Sequence, residues 1–149
     1  MNVVNALSVL PVLAGTLVAA VVDARTGYIP DSLTRATAFA ALGLALVCGA
    51  AVHACAGAFA VGGTLLALHL LTRGRGLGLG DVKLGTAIGA GFGPSAGIIA
   101  LGAAFVAGGA YASWLLATGR AQRNDAIPFG PFLAAGTLAA LIVPAGLLP

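Results

Sequence analysis

The sequence contains no glutamate, and its acids are Asp23, Asp31, Asp81 and Asp125 alone. Charge of either sign is scarce: 7% of the 149 residues are charged and 60% are hydrophobic. Soluble domains run to about 25% charged, so this chain lacks the polar side chains needed to cover a water-facing surface. The shortage excludes a soluble globular domain. Cysteine is nearly absent too. Cys48 and Cys55 lie inside apolar runs, at a spacing that fits no zinc motif, and read as small packing residues. His53 and His69 are isolated and lack a second ligand at a suitable spacing, so neither a metal nor any other cofactor is expected. The Gly76–Gly80 stretch lacks the G-x-G-x-x-G spacing and the lysine of a phosphate loop, which argues against nucleotide binding.

What remains is a set of long apolar runs, with a mean hydropathy of +1.07. Runs of about 20 apolar residues fit helices that cross the hydrocarbon, whereas barrel strands are shorter and alternate in polarity. The fold class expected is all-α: a single-domain polytopic membrane bundle of about six transmembrane helices, with the lipid bilayer as its surroundings. The first run, 1–22, has no Lys or Arg ahead of Arg25, so it reads as a retained helix and not a signal peptide. Turn residues Gly27, Pro30, Asp31 and Ser32 follow, and Asp31 or Ser32 is placed to cap a second helix over about 33–49. A third helix covers about 52–72.

The run after Asp81 stops at Gly93-Pro94, about 12 residues on, or roughly 18 Å of helix. A span needs roughly 30 Å. Either the glycine-rich segment before it dips into the membrane, or this fourth helix is short and buried among its neighbours. A fifth helix is expected over about 95–118. A sixth opens at Ile127-Pro128-Phe129-Gly130-Pro131-Phe132 and ends near 148. Gly85, Gly89 and Gly93 recur at four-residue intervals and make a smooth face for close helix packing.

Every Lys and Arg falls in or beside the loops 23–34, 73–83 and 119–128, while the turns near 49–53 and 92–95 carry none. By the positive-inside rule the charged side is cytoplasmic and both termini face the other way. The same one-sidedness explains the net charge of +3 without nucleic acid as a partner.

Asp31 and Asp125 sit beside prolines in polar loops and read as cap or solvated loop acids. Asp23 and Asp81 each adjoin a membrane run on the same side, where an acid is a functional candidate. Two carboxylates brought close share a proton, so one takes a proton from water while the other protonates a carbonyl oxygen. The competing reading is that each acid merely pairs with a nearby cation, Arg25 or Lys83.

The chain resembles the type IV prepilin peptidases, integral-membrane aspartic peptidases. The resemblance is carried by Asp23-Ala24-Arg25 followed by Ile29-Pro30-Asp31, by Gly78-Leu79-Gly80-Asp81-Val82-Lys83-Leu84, and by Ile127-Pro128-Phe129-Gly130-Pro131-Phe132. It implies that Asp23 and Asp81 are the catalytic pair. It also implies that Gly78, Gly80, Lys83, Arg25 and Pro30 belong to the loops that meet the substrate. The implied substrate is a membrane-inserted pilin-like precursor whose short basic leader is cut at the cytoplasmic face of the inner membrane. Longer relatives carry an N-terminal region with paired Cys-x-x-Cys motifs and methylate the new terminus; without a counterpart here, the short, peptidase-only form is expected. The alternative is a small proton- or ion-coupled transporter with Asp23 and Asp81 as relay groups, but the halves show no convincing inverted repeat.

Overall fold

The structure is a computed structural model that describes residues 3–122 and 125–142, with side-chain environments from residue 7 onward. It forms α1 (Val3–Thr26), α2 (Asp31–Val47), α3 (Ala51–Leu71), α4 (Leu79–Ala117) and α5 (Gly130–Ile142), with no strand among the described residues. The links 27–30, 48–50 and 72–78 are short, which makes consecutive helices neighbours. By length and hydropathy α1, α3 and α4 are each able to cross a membrane, and α5 is a shorter apolar helix. The end of the expected sixth helix, over 143–148, lies outside the described residues.

α4 is a single helix only in name. Gly93 interrupts it with φ 77° and ψ −179°, a conformation open essentially to glycine alone. Pro94 then supplies no N–H to continue the ladder. A methyl group placed on Gly97 would lie 3.3 Å from the Gly89 Cα. Residues eight apart in a straight helix are separated by about 12 Å, so the chain doubles back at Gly93. The expected stop at Gly93-Pro94 is therefore present as a sharp reversal between two arms, 79–92 and 94–117.

The first arm is the centre of the bundle. Leu84, Ala87 and Ile88 are almost wholly enclosed, together with Val61 and Leu65 of α3, Val12 of α1 and Leu133 of α5. Of the two arrangements open in the sequence, this is the short buried helix: its 14 residues, counted from 79 to 92, make about 21 Å. The glycine-rich residues 72–76 lie exposed, with only Leu77 of that loop buried.

α3 lies against both arms because glycines let backbones touch. A side chain at Gly57 would strike the Gly89 carbonyl oxygen and the Gly93 backbone, and one at Gly89 would strike Gly57 in turn. Close approach through small residues is the usual way helices gain dispersion contact where lipid removes the hydrophobic drive.

Polar side chains inside the bundle are tied up locally. The Thr16 and Thr137 hydroxyls meet at 3.4 Å between α1 and α5, and Ser8 Oγ donates to the Gly91 carbonyl at 3.3 Å. His69 Nδ1 donates to the Leu77 carbonyl at 2.7 Å and fastens the glycine-rich loop to α3, in keeping with a packing histidine. His53 packs on Gly93 at the opposite end of the bundle.

Candidate functional site

The end of α1 and the starts of α2, α4 and α5 gather at one end of the bundle. Asp23, in the last turns of α1, is 5% exposed, and its Oδ2 accepts a hydrogen bond from the Gly130 N–H at 2.8 Å. A carboxylate near the C-terminal end of its own helix is poorly placed against that helix's dipole, but this one faces the favourable N-terminal end of α5. Asp81, in the first turn of α4, is 9% exposed, and its Oδ2 accepts from the Gly78 N–H at 3.1 Å. Its Oδ1 is buried without a hydrogen-bond partner among the described residues. Both acids thus lie buried at the end of the bundle where α1 finishes and α4 and α5 begin. Neither forms an ion pair among the described residues.

The loop acids behave differently. Asp31 accepts from Lys83 Nζ at 2.6 Å and from Arg35 at 3.3 Å, with its side chain 41% exposed. The Lys83 hydrogen bond, with the charges of Lys83 and Arg35, holds its carboxyl below the usual 3.8. The expected cap is corrected here. Pro30 occupies the N-cap of α2 with no side-chain cap bond, and Asp31 is the first helical residue. Its carboxylate is drawn outward because two cations, one on α4 and one a turn along α2, offer stronger partners than a backbone N–H. Asp125 lies exposed and accepts from the Gln122 N–H at 2.8 Å.

The competing reading, in which cations neutralise the inner acids, does not match this geometry. Lys83 is engaged with Asp31 and not with Asp81, and Arg25 is exposed on the last turn of α1. Gly78 is the N-cap of α4 and supplies the N–H that holds Asp81. Gly80 lies under the buried Ile29, and an added methyl would come 3.1 Å from the Ile29 Cβ. Ile29-Pro30 therefore leans on the start of α4 beside Asp81, where Gly80 leaves room for it. A cleft of about 150 Å³ lined by Thr34, Arg35, Ala38, Lys83 and Thr86 opens between α2 and α4. No cluster of three or more His, Cys, Asp or Glu able to hold a metal occurs among the described residues.

The sequence marks the 127–132 run as the opening of the sixth helix but gives Gly130 no task. The structure ties it directly to Asp23, 107 residues away in the chain. The available signal was a lone glycine between aromatic and proline neighbours at a helix start, which is weak without knowing what packs on it.

Together these features define a helical membrane protein with two enclosed acids at one end of the bundle that form no ion pair among the described residues. A profile of the type IV leader peptidase family matches residues 10–113. Prepilin leader peptidase/N-methyltransferases of two Burkholderia pseudomallei strains, 1026b and K96243, are each 36% identical to the chain over 146 residues. The alignment covers 91% of this chain and 46% of each relative, so the chain spans about half the length of the curated relatives it matches. No solved structure matches it. The chain belongs to the type IV leader peptidase family.

Proposed function

We propose that the protein is an aspartic endopeptidase that removes the short basic leader of pilin-like precursors at the cytoplasmic face of the inner membrane. The observation that supports this reading is that Asp23 and Asp81 are both enclosed at one end of the bundle, with no ion pair among the described residues, in a chain of this family. Two such carboxyls suffice for peptide hydrolysis. The ionised one takes a proton from water as the water oxygen bonds to the scissile carbonyl carbon. The protonated one gives its proton to the carbonyl oxygen. On collapse the C–N bond breaks, the leaving amine takes the proton drawn from the water, and the carbonyl oxygen's proton returns to the acid that gave it.

The topology that suits this chemistry has six spans, with the two arms of α4 crossing in opposite directions. Arg25, Arg35, Arg73, Arg75, Lys83 and Arg120 then lie on the cytoplasmic side, and both termini on the other. Reporters fused after Arg120 should read as cytoplasmic and those after Gly49 as external; the reverse result contradicts the arrangement. The precursor's apolar helix packs against the bundle while its leader reaches the acids from the cytoplasm. Helical backbone is protected from attack, so the scissile segment is unwound when cut. The test is co-expression with pilin-like proteins of the same genome, scored for leader loss by mass spectrometry. A precursor that keeps its leader beside well-expressed protein contradicts the reading.

A further inference from the structure

We infer that Gly130 is a positioning residue for the reaction: its backbone N–H, held at the start of α5, fixes the rotamer and place of the Asp23 carboxylate. This inference rests on the peptidase reading above. The sequence around Gly130 leaves one donor free for the task. Pro131 has no N–H, and the N–H groups of Phe132 and Leu133 both turn back to the Phe129 carbonyl, at 3.0 and 3.1 Å. The Gly130 N–H alone remains, and it donates to Asp23 Oδ2 at 2.8 Å in a buried setting.

The residue must also lack a side chain. A methyl at Gly130 would come 2.8 Å from Asp23 Oδ2 and 3.0 Å from Asp23 Cβ. The second distance matters more. Cβ moves only with the α1 backbone, so a rotamer change cannot relieve the crowding.

The donor is itself anchored. The ring of Phe129, just before Gly130, packs on Phe105 of the second α4 arm with centroids 5.1 Å apart. Phe132, just after, packs on Tyr111 at 5.5 Å. Gly108 lies beneath both rings, and an added Cβ there would be 3.3 Å from Phe129 and 3.4 Å from Phe132. Position is thus passed from α4 through an aromatic clamp to one N–H and on to one carboxylate. The same fold carries Asp81 on the other arm of α4, so one bent helix sets both acids.

Two variants of the full-length protein in lipid vesicles separate this role from a merely structural one. Gly130→Ala should lower kcat about 100-fold through displacement of Asp23, with KM for the precursor near the wild-type value. Replacing the Phe129–Gly130 amide by an ester removes the N–H and adds no bulk. It should lower kcat about tenfold, the loss expected for one hydrogen bond to a charged group. Isotope-edited infrared spectra of Asp23 supply a readout that needs no turnover: the ester should shift the Asp23 carboxylate stretch and leave that of Asp31 unchanged. Wild-type protein that does not cleave the precursor contradicts the peptidase reading, while the infrared comparison still decides whether Gly130 holds Asp23. An ester variant with an unshifted Asp23 band, or with wild-type kcat, overturns the inference even if Gly130→Ala does not fold.

Discussion

The inner acids, Asp23 and Asp81, and the outer acids, Asp31 and Asp125, are the same residue type at the same end of one bundle, yet they are satisfied in different ways. Asp31 and Asp125 are half or fully exposed, and their partners are two cations and a turn N–H. Asp23 and Asp81 are enclosed, each accepts one backbone N–H at a helix start, and neither forms an ion pair among the described residues. Fixed dipoles orient a carboxylate without neutralising it, whereas a cation consumes the charge that acid–base chemistry needs. The cations lie close by, so the sorting is geometric. Lys83 follows Asp81 by two residues and points to Asp31, because neighbours two apart on a helix do not share a face.

This contrast predicts a graded series of effects. Largest, Asp23→Asn and Asp81→Asn should each abolish leader cleavage with insertion and thermal stability retained, and the double variant should be no worse than either single one. Next, Gly57→Leu should lower stability by about 3 kcal/mol, since the new side chain meets backbone of α4 that cannot turn aside. A fall in melting temperature in detergent reads this out. Smaller, Gly80→Val should cost about tenfold in turnover by pushing Ile29 and the first loop away from Asp81, with the protein still folded.

Smallest, Asp31→Asn should keep most of the activity, as exposed ion pairs contribute little. Its signature lies in pH. The Asp31 carboxyl is held below its usual 3.8 in the folded protein, so its contribution to stability is fully present above that value. It is lost as pH falls through the lowered folded value. The melting temperatures of wild type and Asp31→Asn should therefore differ at neutral pH and converge only in strong acid.

Much of the fold was legible because the signals are local. A proline after a glycine ends the run at residue 93, and four-residue glycine spacing marks the face on which α3 packs. The charge distribution singled out Asp23 and Asp81 as acids next to apolar runs. The partners of the acids were not legible, since they are set by packing across long stretches of chain. Lys83 reaches Asp31 across 52 residues, and Gly130 reaches Asp23 across 107. The cap expected at Asp31 or Ser32 is not formed: Pro30 holds the N-cap of α2, and the Asp31 carboxylate at the first helical position turns to Lys83. A backbone donor also leaves no mark on residue type beyond the absence of a side chain, and in a chain with 23 glycines that mark is faint.

A single comparison within one preparation separates the inner from the outer acids most directly. Equal amounts of folded wild type, Asp81→Asn and Asp31→Asn protein, in the same vesicles, are given one pilin-like precursor and followed through a single turnover by mass spectrometry of the released leader. Separation of the inner from the outer acids predicts no leader from Asp81→Asn and near wild-type release from Asp31→Asn. Cleavage by Asp81→Asn at the wild-type rate, or equal loss in the two variants, would contradict it.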